Sequence, residues 1–259
     1  MLRIDTDKGE VVVEDGDDEQ IYPMDSAEAF SAISQAWLRC GWDVKYVYSF
    51  SWLGRPIIQL PDDMVRIQEV IYTIQPDVII ETGVAHGGSL TYYAGLCKIL
   101  DKGRVIGIDI DIRQHNRKAI EEHFLFPWIT LVEGPSTDAR IAAQVRAMVR
   151  PGESVLLLLD SNHSKEHVSA ELETYSSLIT PGSYIVSMDG IMRDVAGAPR
   201  TKPDWEWNNP LQANREFVAE HPEFEIVEPE FLFNESSVSK RVTYWPECFL
   251  RRTENPQSA

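Results

Sequence analysis

The sequence has few cysteines and few basic residues for its length. Three cysteines, Cys40, Cys97 and Cys248, occur in 259 residues, and their spacing predicts neither a disulfide framework nor a cysteine zinc site. This usage is typical of a reducing compartment, so we expect a cytoplasmic protein. Lysine and arginine number 24 against 41 acidic residues, and the net charge of −17 argues against nucleic-acid and anionic-membrane partners.

Long apolar runs and several nucleotide-binding motifs are also missing. No stretch approaches the roughly 18 to 20 apolar residues that span a membrane, and the N-terminus has no signal-peptide core. There is no G-x-G-x-x-G, no G-x-x-x-x-G-K-[ST], no G-x-S-x-G and no H-E-x-x-H. These absences disfavour dinucleotide enzymes, nucleotide hydrolases, serine hydrolases and zinc proteases.

From residue 77 onward, apolar runs of strand length alternate with helical segments. Strands are predicted at 78–82, 104–109, 128–132, 153–159 and 183–188. Helices are predicted at 88–100, 112–124, 137–149 and 164–179. A later helix at 210–221 and strands near 224–228 and 245–251 complete the pattern. The alternation implies an α/β fold with a parallel sheet covered on both faces, whose ligands bind at the carboxyl ends of the strands.

The chain is predicted to have an extension, residues 1–60, before its main domain, residues 61–259. The extension is expected to hold a short hairpin at 4–13 and a helix at 26–40, and a second helix follows at 62–75. Residues 43–60 are rich in aromatic side chains. Three roles stay open for them, namely a cover over the site, a subunit contact or core packing. We expect a homo-oligomer.

The stretch VIIETGVAHGGSL reads as a buried strand, a glycine turn and a helix start. Gly83 permits close backbone approach, and Ser89 is predicted to cap the helix. Amides at that helix start attract a polar or anionic ligand group. Glu81 would repel a pyrophosphate and attract the amino group of S-adenosylmethionine, so the stretch favours that cofactor over a dinucleotide. An ordinary strand–turn–helix connection is the alternative.

Acidic residues end the following strands as well. Asp109 is placed for the ribose hydroxyls of a nucleoside, whereas Asp111 is expected to cap the next helix. After the third strand, a turn is expected to border an adenine through Ser136. The alternative is that Ser136 or Thr137 only caps a helix.

Asp160 and Asp189 follow the fourth and fifth of these strands. Carboxylates at neighbouring strand ends hold a divalent cation through oxygen ligands, with turn or helix capping as the alternative. His163 follows Asp160 closely and is a candidate general base. The i, i+4 spacing of His163 and His167 suits a transition metal, but no third ligand is evident, and His167 is interpreted as structural.

Five segments together resemble the cephalosporin hydroxylase family, which also includes rhamnosyl O-methyltransferases. They are ETGVAHGGSL, GIDID, LLLLDSNHSKEHVSAEL, PGSYIVSMDG and NNPLQANREFVAEHPEFEI. The resemblance covers roughly residues 60 to 230. It implies a class I, Rossmann-like methyltransferase fold with a mostly parallel seven-stranded sheet and helices on both faces. It also implies S-adenosylmethionine as cofactor and magnesium-assisted O-methyl transfer.

The resemblance also assigns residues to the site. It implies the following residues at the cofactor: Glu81, Gly83, Ser89 and Asp109, to which we add Ser136 and Asp160. It places Asp160 and Asp189 at the metal. The sequence departs from the family in one respect, because Met188-Asp189-Gly190 supplies one carboxylate where the family usually shows an acidic pair.

These observations lead to one hypothesis with two alternatives. The protein is expected to methylate a hydroxyl of a sugar or glycosylated natural product. Mg²⁺ at Asp160 and Asp189 would activate the hydroxyl, and His163 would take its proton. The acceptor wall is predicted to comprise Trp205, Trp207, Asn208 and Asn209. The alternatives are an accessory cofactor-binding subunit without catalysis, and a metal-independent methyltransferase that uses His163 alone.

Overall fold

The structure, a computed structural model, describes residues 1–253 of the chain. Over this range the strands are β1 (Leu2–Asp5), β2 (Glu10–Asp15), β3 (Asp18–Pro23), β4 (Phe50–Trp52), β5 (Arg55–Ile57), β6 (Val78–Thr82), β7 (Arg104–Asp109), β8 (Ile129–Glu133), β9 (Val155–Leu159), β10 (Tyr184–Ser187), β11 (Phe224–Ile226) and β12 (Phe249–Arg252). The α-helices are α1 (Ala27–Asp43), α2 (Pro61–Ile74), α3 (Gly88–Leu100), α4 (Gln114–Glu121), α5 (Ala139–Met148), α6 (Lys165–Tyr175) and α7 (Pro210–Glu220).

Seven strands form one sheet in the order β11-β12-β10-β9-β6-β7-β8. Strand β12 runs antiparallel to both of its neighbours, and the pairs from β10 to β8 are parallel. The chain winds outward from β6 in both directions, so the order of the strands reverses between β6 and β9. Ligands bind at such a switch point, at the carboxyl ends of the strands. The predicted α/β fold is confirmed.

Two apolar layers cover the sheet. Alternate residues of β6 point to opposite faces, so Ile79 packs with α2 and α3 while Val78 and Ile80 pack with α5, α6 and α7. All five residues of β6 and all five of β9 are buried. Strands buried on both faces read as continuous apolar runs, which is why the sequence located them.

The first 60 residues contain α1 and two smaller sheets. Strands β1, β2 and β3 make one, and β4 with β5 makes a hairpin that packs against α3. In this hairpin Trp52 meets Tyr92 edge to face with ring centroids 4.9 Å apart. The hairpin predicted at 4–13 is present as β1 and β2, whereas β3 and the β4–β5 hairpin were not predicted. The proposed domain boundary at residue 60 stays a prediction, and residues 254–259 lie outside the described range.

Several predicted boundaries need correction. Helix α4 is shorter than the predicted 112–124, because the chain turns after Glu121 and enters a short 3₁₀ segment at Phe126–Trp128. The late strand predicted at 245–251 is found at Phe249–Arg252. It starts later because the preceding residues form a turn with Pro246, which has no amide hydrogen to donate. No helix within residues 1–253 combines the length and apolarity needed to cross a membrane.

Candidate functional site

The turn after β6 requires glycine for steric reasons. Gly83 has φ +94°, and a Cβ added there would lie 2.0 Å from the carbonyl oxygen of Asp160. A Cβ on Gly88 would lie 2.1 Å from the carbonyl oxygen of Pro56 in β5. The turn is therefore pressed between the end of β9 and the β4–β5 hairpin, which positions its backbone closely.

Glu81 is fully buried beneath this turn. One of its carboxylate oxygens accepts a hydrogen bond of 2.8 Å from the Ser89 hydroxyl, and the other has no partner among the described residues. Burial raises the pKa of Glu81 to about 8, with the nearby Asp109 charge adding to the effect. The predicted cap at Ser89 is wrong, because the residue before α3 is Gly87, with a left-handed backbone, and Ser89 lies inside the helix.

Asp109 holds the turn through two backbone amides and accepts a third hydrogen bond within its own loop. Its Oδ2 accepts hydrogen bonds from the N–H groups of Val84 (2.8 Å) and Ala85 (3.2 Å), and its Oδ1 accepts one from Asp111 (3.1 Å). This carboxylate therefore stabilises the local backbone, and its contact with a ribose stays a prediction. Asp111 does not cap the next helix, since α4 begins after Arg113 without a side-chain cap.

Arg55 and Asn116 hold the other side of the same turn. Arg55 donates a hydrogen bond of 2.9 Å to the carbonyl oxygen of His86, and the buried Asn116 donates one of 2.9 Å to that of Ala85. Sequence reasoning missed both residues, because neither lies in the glycine stretch and each reaches it only through the tertiary fold. The turn is thus fixed by polar contacts on both sides.

Ser136 joins a buried network instead of capping a helix. Its hydroxyl donates to Glu171 at 2.5 Å, and Ser161 donates to the same carboxylate oxygen at 2.8 Å. His167 lies 3.2 Å from that oxygen, and its hydrogen bond with Glu171 raises the pKa of the histidine. Asp138 caps α5 in place of Ser136 or Thr137. Glu171 itself was missed, since an acid in a helix is usually exposed.

Three side chains capable of holding a metal converge at the switch point. Ligand atoms of Asp160, His163 and Asp189 all lie within 4.8 Å of one another. His163 Nε2 is 3.8 Å from Asp160 Oδ1 and 3.5 Å from Asp189 Oδ2. His167 is not among the three, because His163 precedes α6 and the i, i+4 helical geometry does not apply. The transition-metal arrangement of the two histidines is therefore wrong.

Both carboxylates of this cluster resist ionisation. Burial raises the pKa of Asp160 well above its ordinary value, and the neighbouring Asp189, Glu81 and Glu171 charges add to it. Burial also raises the pKa of Asp189, against the lowering effect of a positive charge on His163. Asp189 has φ 65°, a strained left-handed conformation for a residue with a side chain. A bound cation would relieve the repulsion between the acids.

The cluster lies between two pockets. The glycine-turn pocket, about 170 Å³, is bordered by the 83–89 turn, residues 56–59, Asp160 and His163. The aromatic pocket, about 320 Å³, is lined on one side by Trp42, Trp205 and Tyr244. Asp189, Tyr48, Ile58 and Gln59 border both. A larger surface groove of about 680 Å³ contains none of the strand-end carboxylates.

The four residues predicted to form the acceptor wall lie in different environments. Trp205 lines the aromatic pocket and meets Trp42 edge to face at 5.8 Å, whereas Trp207 is 58 % exposed and lines neither pocket. Asn208 binds the Lys165 amide and Asp204. Asn209 is 1 % exposed, caps α7 and donates a hydrogen bond to the Trp205 carbonyl. It therefore has a structural role and, contrary to the expectation from the sequence, does not form part of the acceptor wall.

The fold and the strand-end acids define a Rossmann-like methyltransferase class. The chain is similar to an apo structure of CmcI at 22 % identity, over 80 % of this chain and 78 % of that one, with a TM-score of 0.54. A CmcI structure described as Mg-SAM gives 21 % identity, coverages of 80 % and 77 %, and a TM-score of 0.52. These likenesses show the fold.

The family follows from the sequence match. The sequence model of the family described as Rhamnosyl O-methyltransferase/CmcI matches residues 44–253, and the chain belongs to that family. A rhamnosyl O-methyltransferase of Mycobacterium leprae is 30 % identical over 153 residues, which are 58 % of this chain. The match spans 64 % of the length of that relative. The resemblance inferred from the five segments is confirmed.

Proposed function

We propose that the protein transfers a methyl group from S-adenosylmethionine to a hydroxyl of a sugar or glycosylated natural product. The observation that carries this proposal is the cluster of Asp160, His163 and Asp189 between two pockets. A group-transfer enzyme needs its two substrates to meet at one point, and the cluster marks such a point. Family membership supports the reaction type, as do the names of the M. leprae relative and of the CmcI Mg-SAM structure.

The glycine-turn pocket is the cofactor side. Glu81 Oε1, buried without a partner among the described residues, is suited to the ammonium of a methionine moiety, which would favour the ionised carboxylate. Gly83 lets the backbone approach the cofactor closely. Asp109 and Ser136 fix the turns beside which a ribose and an adenine would lie. The α3 N-terminus offers amide groups to a carboxylate.

The donor set fits a divalent cation. Asp160 and Asp189 offer carboxylate oxygens, the ligands that Mg²⁺ prefers, and an incomplete protein shell leaves positions for water and substrate. When bound, Mg²⁺ would lower the pKa of the acceptor hydroxyl. The two acids would hold the ion, and their mutual repulsion would fall when it binds.

His163 takes the proton in this proposal. Its ring borders the glycine-turn pocket beside both carboxylates, so it can reach a hydroxyl lying at Asp189. The remaining contribution of the chain is alignment of acceptor oxygen, methyl carbon and sulfur, which the two pockets supply by holding each partner on one side of the cluster. Trp205, with Trp42, gives flat apolar faces that suit a sugar ring.

Calorimetric titration with S-adenosylmethionine and S-adenosylhomocysteine, each with Mg²⁺ and with a chelator, tests the cofactor. We expect micromolar binding of both, and a Mg²⁺ titration that is lost in Asp160→Asn. The surface variant Glu122→Gln is the control for charge. Absence of binding under every condition would refute the proposal. Transfer of labelled methyl groups to a panel of glycosides then tests the reaction, and cofactor binding without transfer to any glycoside would favour an accessory subunit.

A further inference from the structure

The aromatic pocket has two cations at its wall in a strongly acidic chain. Lys45 and Arg200 line it together with Asp189, although the whole chain has a net charge of −17. Lys45 Nζ lies 5.3 Å from the centroid of the Tyr48 ring, and Arg200 donates to the carbonyl oxygens of Trp42 and Asp43. Neither cation has a carboxylate within ion-pair distance among residues 1–253. Their charges are therefore available to a ligand.

The backbone at both cations is strained. Lys45 has φ 57° and Arg200 has φ 67°, a left-handed conformation that glycine adopts at no steric cost. Lys45 follows Val44, the C-cap residue of α1, and glycine is the usual residue at that position. Asp189, the third charged residue of this pocket, is also left-handed at φ 65°. Left-handed residues also occur outside the pocket, as at Gln75, so what distinguishes Lys45 and Arg200 is their place at the pocket wall without a carboxylate partner among residues 1–253.

We propose that the acceptor bears an anionic group, a carboxylate or a phosphate ester, which binds between Lys45 and Arg200. This inference rests on the proposed function, because it places the reacting hydroxyl of the same molecule at Asp189. The cavity of about 320 Å³ is at the small end of ligand pockets and has room for one sugar ring and one charged substituent.

Charge also sets the orientation of such an acceptor. Lys45 and Arg200 attract an anion to their part of the pocket wall, and with the anionic group held there the neutral hydroxyls of the sugar are left to face Asp189. The rings of Trp42 and Trp205, which meet edge to face, wall the space in which the sugar lies. One binding direction would place one hydroxyl at the cluster, which is what selective methylation requires.

Binding of matched glycosides tests the inference. Methyl glucoside, the corresponding methyl glucuronide and methyl glucoside 6-phosphate are titrated into the full chain saturated with S-adenosylhomocysteine and Mg²⁺. We expect a charged glycoside to bind about 3- to 30-fold more tightly than the neutral one at low salt, and the preference to shrink at high salt. The tighter of the two charged probes identifies the source of the anion. Equal affinities, or no binding of any probe, overturn the inference.

Variants distinguish an effect of the pocket charges on binding from an effect on folding. Lys45→Gly relieves the left-handed backbone, so the variant should be as stable as the wild type and yet lose most of the preference for a charged glycoside. Arg200→Gln should reduce the preference further. Gln75→Gly makes the same backbone change at the end of α2 (φ 43°), outside the pocket, and Lys118→Gln removes an exposed charge elsewhere. Both controls should keep the preference. A preference that survives Lys45→Gly and Arg200→Gln together also overturns the inference.

Failure of the inference is distinguishable from failure of the proposed function. Binding of S-adenosylhomocysteine and Mg²⁺ is measured on the same samples and does not involve Lys45 or Arg200. If both bind and charged glycosides have no advantage, only the anionic acceptor is wrong. If neither cofactor nor metal binds, the methyl transfer itself is wrong.

Discussion

The side chains of residues that are distant in sequence lie next to Asp189. Met188-Asp189-Gly190 supplies a single carboxylate at this strand end, and the structure brings His163 to 3.5 Å and Asp160 into the same cluster. Met188 is buried beside Gln59, which donates to its sulfur, so this side chain packs in the core and cannot ligate a hard cation. Two carboxylates and an imidazole therefore form the polar centre of the site.

Replacement of Asp160 by asparagine should remove Mg²⁺ binding and turnover. Asparagine keeps the shape of the side chain, and it leaves in place the Asp160 carbonyl that contacts Gly83. We expect the affinity for S-adenosylmethionine to change by less than about threefold, because Glu81 keeps its position and its hydrogen bond from Ser89. Calorimetry of both ligands on one preparation checks this. Full activity in the variant would exclude the metal role.

Replacement of His163 by glutamine should slow turnover by roughly 10²- to 10⁴-fold, the usual contribution of a positioned general base. Mg²⁺ affinity should change little if His163 takes the proton and the two acids hold the metal. Single-turnover rates and Mg²⁺ titrations on the same variant measure the two roles separately. A loss of only a few-fold in rate would indicate that His163 has a structural role. A loss of Mg²⁺ affinity as large as the loss of rate would indicate that His163 is a metal ligand.

At the scale of elements, the turn between β6 and α3 is held from every side. Asp109 binds its amides, Arg55 and Asn116 bind its carbonyl oxygens, and the β4–β5 hairpin packs on Gly88. This turn connects the central strand to the helix that begins at the glycine-turn pocket. Rigidity there keeps the pocket preformed and reduces the ordering cost of binding.

Replacement of Gly83 by alanine should destabilise the fold by about 2–4 kcal/mol, from the left-handed backbone and from a Cβ that would press on Asp160. Gly152→Ala is the matched control, since its φ of +87° imposes the same strain while nothing lies within 4 Å of the added Cβ. Urea denaturation of both variants measures the difference, which is the cost of the contact. Equal losses would show that the turn relaxes.

Replacement of Asp109 by alanine should lower the free energy of unfolding by on the order of 1–3 kcal/mol, because amides of the turn lose their hydrogen-bond acceptor. Binding of S-adenosylmethionine should weaken as well. Asp109→Asn keeps one acceptor oxygen and should lose less in both measurements, which are denaturation and calorimetry. If cofactor affinity stays at the wild-type value in Asp109→Ala, the acid is not part of the cofactor site.

Across the whole molecule, buried acids tie distant segments together. Asp63 of α2 is 1 % exposed and accepts hydrogen bonds from the Thr243 hydroxyl and, at 2.9 Å, from the Tyr244 amide. Tyr244 in turn donates to the Leu38 carbonyl of α1 and lines the aromatic pocket. A single carboxyl group thus connects the N-terminal helix, α2 and the segment before β12 to the pocket wall.

Stability should fall as pH rises through the neutral range. Burial raises the pKa of Asp63 to about 8 in the folded state, against 3.8 ordinarily, so the folded chain binds the extra proton between these values. Unfolded chains lose that proton first, and the contribution of Asp63 to stability therefore decreases from about pH 4 to about pH 8. Asp63→Asn, which mimics the protonated acid, should flatten this dependence in urea denaturation from pH 5 to 8. An unchanged slope would contradict the assignment.

The sequence by itself determined the central sheet and the positions of its polar ends. Strands β6 and β7 and helix α3 were predicted to the residue, because fully buried strands are continuous apolar runs and glycine or aspartate interrupts each run sharply. Glu81, Asp109, Asp160 and Asp189 were found at the strand ends for the same reason. Alternation of strands and helices then implies that these ends share one edge of a parallel sheet.

Only the tertiary structure decided which of these side chains meet and what else surrounds them. Asp109 is occupied with backbone amides, Asn209 with a helix cap, and Ser136 with Glu171, because short polar side chains bind the nearest unsatisfied backbone or buried group. Lys45 and Arg200 lie 155 positions apart in the chain and border one pocket. Contacts across such separations depend on packing of whole elements, and local periodicity in the sequence does not encode them.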